Sequence, residues 1–141
     1  MEFTEASGRN QDRPLYLLMR AVEQNALGDK DGARVNFEKA RKLSDSKPDV
    51  ANLAKACMAE QDKDWRQVDA LCTLCLKENS DMTYAMLLQG RALEQLKKPE
   101  DARKSYQAAL DSDPNCGAAK LALEKLPKPP EASPTPAVPA K

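Results

Sequence analysis

Two columns of residue types recur in step along this chain, and few folds satisfy both. In one, a small or thin residue, a larger one and another small one stand at i, i+4 and i+7: Ala33, Phe37 and Ala40, then Val68, Cys72 and Cys75, then Ala102, Tyr106 and Ala109. In the other, a small residue follows a leucine by three: Leu18 and Ala21, Leu53 and Ala56, Leu87 and Gly90. The interval is about 34 residues, the kind of period that marks a solenoid. Chance similarity among helical stretches does not hold two independent columns in register.

Helix punctuation repeats with the columns. Within each unit lie "LGDKDG", "QDKDW" and "LKKPE", where Gly28 with Asp29, Asp64, and Pro99 supply stop, N-cap and first-turn chemistry between two helices. Between units lie "SDSKPD", "NSD" and "DSDPN", with Pro48 and Pro114 expected outside the helices. The spacing predicts seven helices, near residues 14–27, 31–43, 49–61, 65–78, 82–96, 99–111 and 115–126. On the second helix of each unit, positions i, i+4 and i+7 share one face, so two small residues admit a neighbouring helix while the larger side chain fills the gap left between them.

The totals agree with an all-α chain and limit what it does. The 141 residues suit one compact domain, and 22 basic against 22 acidic side chains leave no net charge to draw in nucleic acid or an anionic membrane. Aromatics are only 4%, as expected of helices built on small contacts. No run is long and apolar enough to span a bilayer, and "MEFTEASGRN" lacks the basic start and apolar core of a signal peptide, so the expected setting is cytoplasmic with its four cysteines reduced. The chain has no histidine, no glycine-rich phosphate loop and no nucleophile beside a base, which argues against an enzyme; no cofactor is expected.

These residues resemble the tetratricopeptide repeat, a helix-turn-helix unit that stacks into a right-handed superhelix. The match is fullest from Thr83 to Cys116, through Gly90, Leu93, Ala102, Tyr106, Ala109 and Pro114. Residues 14–48 match through Ala21, Gly28, Asp29, Ala33, Phe37 and Ala40, and residues 49–82 keep Ala56, Asp64 and Trp65. The expected architecture is therefore an α-α superhelix: a loose N-terminus at 1–12, three units at 14–48, 49–82 and 83–116 within a domain spanning 13–126, a capping helix at 115–126, and a proline-rich tail at 127–141. In the cap, Ala118, Leu121, Ala122 and Leu126 make a narrow apolar stripe, with Lys120, Glu124 and Lys125 facing water.

The resemblance implies a non-enzymatic adaptor or scaffold that binds a peptide or helix of another protein in the groove lined by the first helix of each unit. The residues placed there are Leu15, Leu18, Met19 and Val22, then Val50, Leu53, Ala54 and Cys57, then Tyr84, Leu87, Leu88 and Arg91, with Arg91, Glu94 and Gln95 as a polar rim. Members of the family keep a large apolar residue one place before the small one, whereas Arg20, Lys55 and Gln89 stand there in this chain. Two readings follow. Either the apolar stripe is an exposed trough for an amphipathic helix or a second copy of the chain, or the first helices are rotated so that the stripe is core and the three polar residues face the groove. A self-assembling structural module, a homo-oligomer through this surface, is the alternative function. Some such arrays clamp the acidic C-terminal tails of chaperones; the matching positions here hold Leu18, Val22, Ala54, Tyr84 and Leu88, none able to hold a carboxylate, so those tails are not expected partners.

Three smaller signals read as structural. Cys72 and Cys75 form C-x-x-C, yet both lie in the column that Phe37 and Ala40 occupy in the first unit, and Cys57 and Cys116 lack zinc-type spacing, so no metal is expected. Trp65, after Asp64, packs on the adjacent helix. Pro136 to Pro139 satisfies P-x-x-P in a tail expected to be extended.

Overall fold

A computed structural model of the chain describes residues 13–44 and 46–127. They form seven helices and no strand among the described residues: α1 (Pro14–Ala26), α2 (Lys30–Lys42), α3 (Pro48–Gln61), α4 (Trp65–Glu78), α5 (Thr83–Gln95), α6 (Pro99–Ser112) and α7 (Gly117–Lys125). The residues before 13 and after 127 lie outside the description, and with them the P-x-x-P motif.

The helix ends follow their local chemistry. Asp29 accepts from the Gly32 amide at 3.0 Å to cap α2, and Asp64 caps α4 through the Gln67 amide. Pro14, Pro48 and Pro99 each open a helix. The expectation for Pro48 is thereby corrected: it is the first residue of α3, a place where the missing N–H costs nothing because first-turn amides have no partner within the helix. The cap helix starts at Gly117, two residues later than expected. Asp113 holds the preceding turn, taking the Asn115 amide on its side chain at 3.1 Å and the Cys116 amide on its carbonyl at 2.9 Å.

Each helix packs on the next in chain order, and the first helices of successive units also touch, α1 on α3 and α3 on α5. All fifteen column positions named from the sequence are buried, with Leu18, Leu53, Ala33, Val68 and Ala102 fully out of solvent. Close approach explains the small residues. A Cβ built on Gly90 of α5 would lie 2.5 Å from Cε1 of Tyr106 on α6, so only glycine lets the ring reach that helix. In α7 the buried residue is Ala119, with Leu126 buried just after the helix; Ala118 and Leu121 of the expected stripe are exposed, Leu121 by 52%. A nine-residue helix turns only one narrow face to α6.

Candidate partner-binding face

The stacking of α1, α3 and α5 decides where the proposed groove residues go. Leu18, Val50, Leu53, Ala54, Cys57, Leu87 and Leu88 are buried, while Val22, Tyr84 and Arg91 are half-buried. Leu15 and Met19 stay open, at 49% and 37% exposure. Of the three polar residues, Gln89 is taken up by the preceding helix instead of facing a groove, which departs from the second reading above at that position. Gln89 donates to Asp69 Oδ1 and Thr73 Oγ1 of α4, both at 2.9 Å. Lys55 shares a crevice with Arg34 of α2 and Gln67 of α4, and Arg20 lies along α1 beside Tyr16 and Glu23. At Lys55 and Gln89 a long side chain serves the contact between first and second helices, and Lys55 and Arg20 keep their charged ends wet.

The chain's own side chains cover the middle unit. Arg91 of α5 donates from Nε to Glu60 of α3 at 3.0 Å and from Nη2 to the same carboxylate at 3.3 Å, a two-bond grip across the unit boundary. Nη2 also donates to the Tyr84 hydroxyl at 3.1 Å, and the guanidinium carbon stands 5.6 Å from the Tyr84 ring centre. Burial pushes the Tyr84 phenol well above its usual range, and the charge of the nearby Cys57 thiolate would add to that. Burial works against the Arg91 charge, but Tyr84 and Glu60 outweigh it and keep the guanidinium protonated.

Two clefts remain. One, of about 660 Å³, has Leu15, Tyr16 and Met19 of α1, Val50 of α3 and Met82 as its apolar lining, with Arg13, Lys47, Asp49 and Asn79 around it. The other, of about 260 Å³, lies between α5 and α7, where Leu87, Ala118, Leu121 and Ala122 meet Arg91, Glu94 and Lys125. Its floor includes Tyr106, whose hydroxyl donates to Glu94; burial, then that carboxylate, raises the phenol. Tyr16, Met82 and Leu121 are lining residues that the groove pattern misses. A signal for Leu121 was present, since it continues the leucine column of Leu53 and Leu87 at the same interval.

Cys57, Cys72 and Cys75 are buried free thiols, and among the described residues no cluster of His, Cys, Asp or Glu is arranged to hold a metal ion. Cys75 Sγ lies 3.3 Å from Met82 Sδ, a packing contact at the boundary of the second and third units. Trp65 is half-buried against the same core. No helix of the described residues is long and apolar enough to cross a membrane.

Comparison with known proteins agrees with this architecture. Residues 83–116 match the family described as tetratricopeptide repeat. The first such domain of Spaghetti (RPAP3), bound to an HSP90 peptide of sequence SRMEEVD, has a similar fold, with a TM-score of 0.61 and 26% identity over 80% of this chain and 89% of that one. The first such domain of human RPAP3, solved by NMR, gives a TM-score of 0.63 and 25% identity, covering 82% of this chain and 90% of that one. No curated protein sequence matches. The peptide seated in the Spaghetti domain runs against the expectation that chaperone tails are poor partners. That expectation took Leu18, Ala54 and Leu88 as groove residues, and all three are fully buried.

Proposed function

We propose that this chain, which carries a tetratricopeptide repeat at residues 83–116 in a fold of that kind, is a non-catalytic adaptor whose 13–126 unit holds a segment of another protein against its first helices. The observation that carries this reading is the pair of clefts at the two ends of the first-helix row, each with an exposed large apolar side chain: Leu15 and Met19 at one, Leu121 at the other. An amphipathic segment with two apolar anchors spans such an arrangement, leaving its polar side over the Arg91, Glu60 and Tyr84 group. The buried, unreactive thiols suit a reducing compartment, so a cytoplasmic setting is part of the proposal.

Because Leu53 and Leu87 are buried, charge at either would damage the core; the informative substitutions are at exposed positions. The SRMEEVD peptide, with its methionine and valine, is a ready probe. In calorimetric titration Leu15→Glu/Met19→Glu and Leu121→Glu weaken its binding by roughly tenfold or more, while the melting temperature stays near that of the parent. Unchanged binding in both variants would reject the reading. Light scattering tests the alternative: a stable oligomer of the chain alone, dissolved by the same substitutions, favours a self-assembling module.

A further inference from the structure

We infer that the outer flank of α1 is a docking surface for a second copy of this chain, the two α1 helices packing antiparallel so that Arg20 of each copy meets Glu23 of the other. The same flank is used elsewhere in the chain. On α3 and α5 it receives the second helix of the preceding unit: Arg34 of α2 donates to the Met58 carbonyl at 3.2 Å, and Asp69 and Thr73 of α4 take up Gln89. α1 packs on α2 and α3, and no described helix stands on its matching flank. What lies there is a hollow of about 330 Å³ lined by Tyr16, Met19, Arg20, Glu23, Gln24 and Leu27, with Leu27 87% exposed. An end unit of a helical array ordinarily turns a polar face outward, whereas this one keeps three large apolar side chains there.

The residue types on the flank select the occupant. A further unit stacked in the manner of the array needs small or apolar residues here: on α3 and α5 the counterparts of Glu23 are Met58 and Ala92, both buried, and those of Tyr16 are Ala51 and Ala85. α1 carries a ring and a charge instead, which hold a helix off from that close approach. The stripe is, however, its own complement when reversed. Tyr16, Arg20, Glu23 and Leu27 stand at i, i+4, i+7 and i+11 on one side of the helix, over roughly 16 Å. Their order of apolar, basic, acidic, apolar sets Tyr16 against Leu27 and Arg20 against Glu23 in an antiparallel pair, each contact made twice about the two-fold axis. Both charges are available for it, since none of the ion pairs or side-chain hydrogen bonds among the described residues engages Arg20 or Glu23. Gln24 is already held within its own unit, by Asn36 at 2.6 Å and Asp29 at 3.2 Å. One helix pair buries less than a standard interface, so the dimer is weak and depends on concentration.

Sedimentation equilibrium of the full chain over a range of concentrations is the test, with charge reversals at two exposed positions. The parent is expected to dimerise reversibly. Arg20→Glu alone and Glu23→Arg alone each set like charges against one another twice, and each is expected to weaken the dimer by at least about tenfold at low salt, with the melting temperature near that of the parent. Arg20→Glu/Glu23→Arg in one chain is expected to restore the dimer. An equimolar mixture of the two single variants is expected to form a heterodimer tighter than either variant with itself. A parent that stays monomeric at every concentration overturns the inference, as does a dimer that ignores the single reversals or is not restored by the double one. A dimer dissolved by Leu121→Glu also overturns it, because the contact then belongs to the cleft between α5 and α7. The inference stands apart from the adaptor reading: Arg20 and Glu23 line neither of its two clefts, and peptide binding and self-association are read by separate measurements.

Discussion

The Tyr106 ring lies where a Cβ on Gly90 would have to be, 2.5 Å from Cε1, so helices α5 and α6 meet across a contact that only the smallest residue allows. Gly90→Ala is expected to destabilise the chain by about 1–3 kcal/mol, since neither backbone nor a buried ring gives way cheaply. Urea unfolding measures it. Paired with Tyr106→Leu, the alanine should cost less than it does alone, a departure from additivity of at least about 0.5 kcal/mol.

Arg91 and Glu60 join the second and third units through two hydrogen bonds, with the carboxylate side chain 17% and the guanidinium side chain 40% exposed. Solvent screens the arginine end, so the coupling in a double-mutant cycle of Arg91→Met and Glu60→Gln is expected near 1 kcal/mol, more than a surface pair gives and less than a fully buried one. Chemical denaturation of the four proteins at low and high salt measures it, and the coupling should shrink only modestly with salt.

The turns between paired helices place Gly28, Lys63 and Lys97 at positive φ, of 98°, 59° and 65°. A side chain in that region carries a backbone cost that glycine avoids, partly offset by the greater freedom of glycine in the unfolded chain. Lys63→Gly and Lys97→Gly are each expected to raise stability by roughly 0.5–1 kcal/mol, and Gly28→Ala to lower it by about 1 kcal/mol. Thermal melts of the three variants report the signs.

The three buried thiols are held in their neutral form. Burial, with the Asp49 charge added, pushes Cys75 up to about 12, and burial raises Cys57 and Cys72 as well. A folded pKa above the unfolded value means the folded state keeps the proton longer. The contribution is complete below the unfolded value near 9 and is lost as pH climbs toward 12. Stability is therefore expected to be insensitive to these groups at neutral pH and to fall in the alkaline range. A thiol reagent at pH 8 should modify Cys116 quickly in the native protein and all four cysteines in denaturant.

The fold was legible because its rules are local. Small-large-small spacing, Asp29 and Asp64 as caps, Gly28 as a stop and Pro99 as a first residue each act within one helix or one turn, and each reappears in the structure. The partner face was much less so. A single first helix does not reveal that both its flanks are covered by neighbouring first helices, which is why Leu53 and Ala54 are inside and Leu15 is not. Nor does spacing tell that Arg91 reaches back across a unit to Glu60, or that Gln89 is taken up by Asp69 and Thr73. Those outcomes depend on side-chain reach between units, which periodicity along the chain does not encode.

Every helix in this slab leans mainly on those adjacent to it in order, with α1 to α3 and α3 to α5 reaching one step further. Damage therefore stays where it falls. A fault in the third unit is expected to loosen α5, α6 and α7 before it is felt at α1.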